Sequence, residues 1–199
     1  MSLVTNVVSS PTASRLLLLV HGLGADEHDL EGLLPYLDPA GLFVAVLPRA
    51  PYSLGGAMPG YGWFDFGGPD GVDRESYLSS VDALDRLVDE ACSEHGFRRS
   101  EAVVAGFSQG AAMALALAYR RSDRVRPAAV LAMSGFLPQA PWLPLLGESD
   151  GIELPPALVQ HGSHDPLVAP ARGQAVARDL TAMGAPVVYR EYPMQHQVA

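Results

Sequence analysis

The chain has 199 residues, 48% of them hydrophobic, enough for a sizeable core, and the length fits one domain. Its formal charge is -9 with only 13 Lys and Arg, unclustered, so a nucleic-acid partner is not expected. The single cysteine, Cys92, excludes an intrachain disulfide and suits a reducing, cytoplasmic setting.

In chain order, short apolar runs alternate with longer segments of helical period, the pattern of a mostly parallel sheet covered on both faces. The predicted strands are 15–20, 42–47, 102–105, 128–133, 157–160 and 187–192, with 4–9 as an edge strand. The predicted helices are 29–37, 76–94, 109–121 and 170–183. Leu78, Val81, Leu84, Leu87, Val88 and Ala91 make the core stripe of the second helix. The fold class is therefore α/β. "LLLLV" from Leu16 to Val20 is far too short to cross a bilayer, and the first residues lack the pattern of an export signal, so no stable membrane insertion is expected.

Two irregular stretches break the alternation. "APYSLGGAMPGYGWFDFGGPDGVD" and "PQAPWLPLLGESDG" are rich in glycine and proline yet carry aromatic residues, which argues for ordered loops over the carboxyl edge of the sheet, where α/β proteins bind ligands. Met58, Trp63, Phe64, Trp142 and Leu145, with Leu23, are candidates to line an apolar substrate groove, although ordinary core packing explains several of them equally well.

"VVAGFSQGAAMALALAY" passes from a β-branched run through Gly106, Ser108 and Gly110 into an alanine-rich helix former. Ser108 reads either as a helix N-cap or as a nucleophile at a sharp strand-to-helix turn. A serine hydroxyl is a poor nucleophile at neutral pH and needs a base held by a carboxylate. "ALVQHGSHDPLV" puts Asp165 after one strand, and "VVYREYPMQHQVA" puts His196 after the last, in the order serine, acid, histidine. Asp165 before Pro166 is also a good turn former, and Asp150 and Asp179 compete for its role. His161 and His164 beside Asp165 suggest a metal cluster, but no further ligand lies at a recognisable spacing, so no metal is expected. His28 and His95 read as solvent-facing. An acyl-transfer site also needs two amides for the oxyanion, supplied by Gln109 at the helix start and Leu23 in the turn His21-Gly22-Leu23-Gly24.

Taken together, "HGLGADEHDL", "WFDFG", "GFSQGAAMALALAY", "MSGFLP", "HGSHDPLV" and "YPMQH" resemble the phospholipase/carboxylesterase family of α/β-hydrolases, across nearly the whole chain and in the right order. The resemblance implies a single α/β-hydrolase domain over residues 1–199 with Ser108 as nucleophile, Asp165 as orienting acid and His196 as base. Leu23 and Gln109 would form the oxyanion hole. It implies a cofactor-free serine hydrolase acting on small-molecule esters, thioesters or lysophospholipids with short to medium acyl chains; the alternative is a catalytically silent binding module on the same fold. This sequence departs from the family pattern at Gln195 and Gln197 around the histidine and at Ala111 after the elbow. The family pattern continues into another helix after the histidine, which predicts either a further tail or a homodimer covering the same face.

Overall fold

β-Branched and leucine-rich runs form the strands here because a sheet buried on both faces has no solvent side to accept polar residues. The structure, a computed structural model, describes residues 2–56, 59–67, 71–138, 140–147 and 151–198. Its strands are β1 (Thr5–Val8), β2 (Arg15–Val20), β3 (Phe43–Pro48), β4 (Tyr52–Ser53), β5 (Tyr61–Gly62), β6 (Val103–Phe107), β7 (Ala129–Met133), β8 (Ala157–Gly162) and β9 (Val187–Tyr192). The helices are α1 (Leu34–Leu37), α2 (Arg74–His95), α3 (Gln109–Tyr119) and α4 (Pro170–Ala182). Seven strands form one sheet in the order β1-β3-β2-β6-β7-β8-β9. Only the β1–β3 pairing in it is antiparallel. β4 and β5 form a separate antiparallel ribbon.

Alternate residues of β2 point to opposite faces. Leu16, Leu18 and Val20 join the larger core, with Tyr77, Val81 and Leu84 of α2, the whole of α3, and Val176 and Leu180 of α4. Leu17 and Leu19 face the smaller core, with Leu30 and, at its margin, Leu33, Leu34, Leu37 and Val198. Every residue of α3 is buried, which explains its alanine-rich, evenly apolar sequence. α2 starts two residues before the predicted 76 because the Asp73 carboxylate accepts the Ser76 amide at 2.9 Å, and it stops at Gly96 in a left-handed conformation.

The predicted helix 29–37 is a 3-10 turn, Glu31–Leu33, followed by the single turn α1. Pro35 has no amide to donate and fits only the first turn of a helix, so a continuous helix from 29 would put it inside. The first glycine-rich segment supplies the β4–β5 ribbon. Tyr61 ties this ribbon to the turn after β2, accepting from the Gly24 amide at 2.9 Å and donating to the Ala25 carbonyl at 3.0 Å. Among the described residues no helix is long and apolar enough to cross a membrane.

Candidate active site

The chain leaves β6 at Phe107 and enters α3 at Gln109, so Ser108 alone must turn it through a sharp corner. It does so at φ 54 and ψ -117, a conformation that side-chain-bearing residues adopt only under strain. The corner is tight enough that a Cβ on Gly106 would overlap the Gly110 carbonyl, and one on Gly110 would overlap the carbonyls of Val20 and His21. This is the physical need behind the two glycines. The Ser108 side chain makes no capping bond to α3, which removes the N-cap reading. Its Oγ instead lies 2.9 Å from His196 Nε2.

Asp165 and His196 arrive on the loops after β8 and β9, and the parallel pairing of these strands places both loops at the edge where Ser108 emerges. The loops are joined by two amides: Ser163 donates to Tyr192 at 2.8 Å and His164 to Met194 at 3.0 Å. The two oxygens of Asp165 have different partners. Oδ1 closes the turn, accepting the Leu167 and Val168 amides at 2.9 Å each, while Oδ2 accepts from His196 Nδ1 at 2.7 Å. That bond puts the proton on Nδ1 and leaves Nε2 to accept from the serine. Burial would raise the Asp165 pKa, but the bond from His196 and those from the Val168 and Leu167 amides outweigh it and hold the carboxyl below its usual range.

The other candidates lie elsewhere. Asp179 belongs to α4, and Asp150 falls outside the described residues. His161 is fully buried, its Nε2 donating to the Val168 carbonyl at 2.8 Å and lying 3.4 Å from Asp165 Oδ2, so it braces the acid loop from below. His164 is exposed beside Ser163. Among the described residues no three His, Cys, Asp or Glu side chains converge as a metal site would require. His28 is mostly exposed in a turn, and His95 ends α2 stacked on Phe97. Cys92 is buried in the core.

The amides of Leu23 and Gln109 find no protein acceptor among the described residues. Gln109 opens α3, where unpaired amides and the helix dipole favour negative charge. The Leu23 turn is held by His21, whose Nδ1 donates to the Gly22 carbonyl at 2.7 Å while Nε2 accepts the Ala50 amide at 3.1 Å. Burial pushes the His21 pKa down, so the ring is neutral, as this pairing needs. The Gln109 side chain faces inward and clamps the aromatic segment, accepting from the Trp63 amide at 2.9 Å and donating to the Phe64 carbonyl at 3.0 Å.

A cleft of about 550 Å³ opens over Ser108 and His196. Its apolar wall includes Leu23, Phe66, Val72, Phe107, Phe136 and Leu167, and Arg172 stands at its side. Of the groove candidates among the described residues, only Leu23 lies on this wall. Trp63 is fully buried, with Nε1 donating to the His21 carbonyl at 2.9 Å. Phe64 is core as well, backing the wall through ring contacts with Phe66 and Phe136. Trp142 packs edge-on against Tyr77, and Leu145 bridges to Arg120 on the margin of the core. Burying these large apolar rings behind the wall removes more surface from water than lining an open groove would. Met58 lies outside the described residues. The missed wall residues Leu167 and Val168 follow the acid after Pro166, and their place on a loop at the carboxyl edge was the available signal.

A family profile described as phospholipase/carboxylesterase matches residues 4–199. The chain belongs to this family. It is 32% identical over 170 residues to acyl-protein thioesterase 1 of Debaryomyces hansenii, covering 78% of this chain and 72% of that protein. It is 32% identical over 157 residues to lysophospholipase-like protein 1 of Mus musculus, covering 76% of this chain and 64% of the relative. The Bacillus cereus carboxylesterase structure shares the fold with a TM-score of 0.82 at 22% identity, over 99% of this chain and 88% of that one. The carbonyl of Gln195, the residue before the histidine, lies directly against Gly162.

Proposed function

We propose that this member of the phospholipase/carboxylesterase family is a serine hydrolase, one cytoplasmic domain that cleaves carboxylic esters and thioesters of short to medium acyl chains through an acyl-enzyme on Ser108. The observation that carries the reading is the unbroken chain of contacts from Ser108 Oγ to His196 Nε2 at 2.9 Å and from His196 Nδ1 to Asp165 Oδ2 at 2.7 Å.

In the first half-reaction Ser108 Oγ attacks the acyl carbon while its proton passes to His196 Nε2. Asp165 holds the imidazole in the required tautomer and stabilises the imidazolium. The oxygen of the tetrahedral intermediate takes its negative charge toward the Leu23 and Gln109 amides, each worth a few kcal/mol by analogy with side-chain donors. Collapse expels the alcohol or thiol, which leaves with the proton from His196. Water then attacks the acyl-enzyme by the same route and frees the acid and Ser108. The relatives named as a thioesterase, a lysophospholipase-like protein and a carboxylesterase support this chemistry. The buried lone thiol Cys92 supports the reducing compartment.

The test is a double-mutant comparison. Ser108→Ala and His196→Ala should each lower kcat by about 10^4 to 10^6, and the double variant hardly more, because the members act as a unit. Additive losses would refute the arrangement.

A further inference from the structure

The cleft wall is apolar apart from the reacting groups, with one exception. Arg172, in the first turn of α4, is the one permanently charged side chain among the described residues that line it. Its guanidinium carbon stands 5.0 Å from the centre of the Phe136 ring. Among the described residues it makes no ion pair and no side-chain hydrogen bond, unlike Arg49, Arg99 and Arg120, which are each paired with a carboxylate. Phe136 itself is almost fully buried and braced edge-on by Phe64. Stacking on a fixed ring restricts the guanidinium while leaving the N–H donors around its rim free, so less ordering remains to be done when an anion binds.

Arg172 and Phe136 also line a second cavity of about 400 Å³, together with Pro138, Val176 and Arg178. The stacked pair is thus the partition between the cleft over Ser108 and a neighbouring space. A substrate whose far end reaches this partition meets a positive charge after an apolar passage.

We propose that the cleft selects esters whose end remote from the scissile bond carries an anionic oxygen group, a carboxylate or a phosphate, bound by Arg172. The inference rests on the reading of Ser108 as the nucleophile. It assigns Arg172 as a specificity-determining residue and makes distance the selective variable, because the anion must span from the acyl carbon at Ser108 to the partition.

The experiment compares 4-nitrophenyl monoesters of adipate, pimelate and suberate with the uncharged 4-nitrophenyl hexanoate, heptanoate and octanoate. A 6-phosphonooxyhexanoate ester forms the phosphate arm. The quantity read is the ratio of kcat/KM for the anionic ester to that for the neutral ester of the same length. Both values come from one sample, so the folded fraction cancels. In Arg172→Met the ratio should fall about tenfold at one preferred length, the scale of one charge-assisted contact in a partly solvated site, with Arg172→Lys between. Whichever of the carboxylate and phosphate arms falls more identifies the anion. A ratio that changes less than twofold in Arg172→Met for every ester would overturn the proposal. Failure of the nucleophile reading is distinct: the neutral esters would then show no turnover that depends on Ser108.

Discussion

Gly162, the last residue of β8, touches Gln195 backbone to backbone, so closely that a Cβ on the glycine would overlap the Gln195 carbonyl oxygen. The residue after Gln195 is His196. The contact, together with the amide bonds from Ser163 and His164, sets the height at which the imidazole meets Asp165 and Ser108.

Gly162→Ala should therefore damage the reaction without touching a reacting group. A displacement of His196 by about 1 Å should lower kcat about 100-fold. The overlap should also cost roughly 1–3 kcal/mol of stability, read by urea denaturation. A Gly162→Ala protein with unaltered kcat would show that the histidine loop is held by something else.

The strain at Ser108 has its own signature. Alanine keeps the Cβ that makes φ 54 unfavourable, whereas glycine does not. Ser108→Gly should thus be more stable than Ser108→Ala by about 1 kcal/mol, reversing the usual order of these residues next to a helix. Thermal unfolding of the two inactive proteins measures the difference, and equal melting temperatures would contradict it.

The convergence of Ser108, Asp165 and His196 was legible in the sequence because each follows a strand and each has a steric or electronic requirement that few residue types satisfy. Gly106 and Gly110 mark a corner with no room for side chains, and a place just after a strand separates Asp165 from Asp179, which lies in a helix. The sheet was legible for a similar reason: strands buried on both faces leave continuous apolar runs. The cleft wall was not. In "WFDF" nothing local distinguishes Trp63 and Phe64, which turn into the core, from Phe66, which reaches the cleft, because the choice depends on the Gln109 side chain clamping the backbone from α3. Likewise, helical periodicity alone could not show that Pro35 would reduce 29–37 to a 3-10 turn and a single α-helical turn.

That distinction separates two kinds of substitution. Trp63→Ala empties a fully buried site and should cost about 3–5 kcal/mol of stability. Leu167→Ala, at a residue 75% exposed on the cleft rim, should leave stability within about 0.5 kcal/mol and change KM and acyl-chain preference instead. Denaturation curves beside a series of 4-nitrophenyl esters test both. A specificity change from Leu167→Ala smaller than that from a folded Trp63 variant would reverse the assignment.

His21 should leave a mark on stability as a function of pH. Its folded pKa lies below the ordinary 6.5, so below that pH the unfolded chain binds more protons than the folded one and stability falls as the solution is acidified. His21→Asn should flatten this dependence in the range just below pH 6.5, whatever its effect on overall stability. Urea denaturation at several pH values reads the slope, and an unchanged slope in the variant would show that the buried ring is not its source.

A serine activated by His196 reacts rapidly with a fluorophosphonate. Intact-mass measurement after brief treatment should show one adduct per chain in the wild-type protein, none in Ser108→Ala, and labelling slowed by at least about 10^3 in His196→Ala. Adducts that persist in Ser108→Ala, or a folded wild-type protein that takes up no probe, would show that Ser108 is not an activated nucleophile.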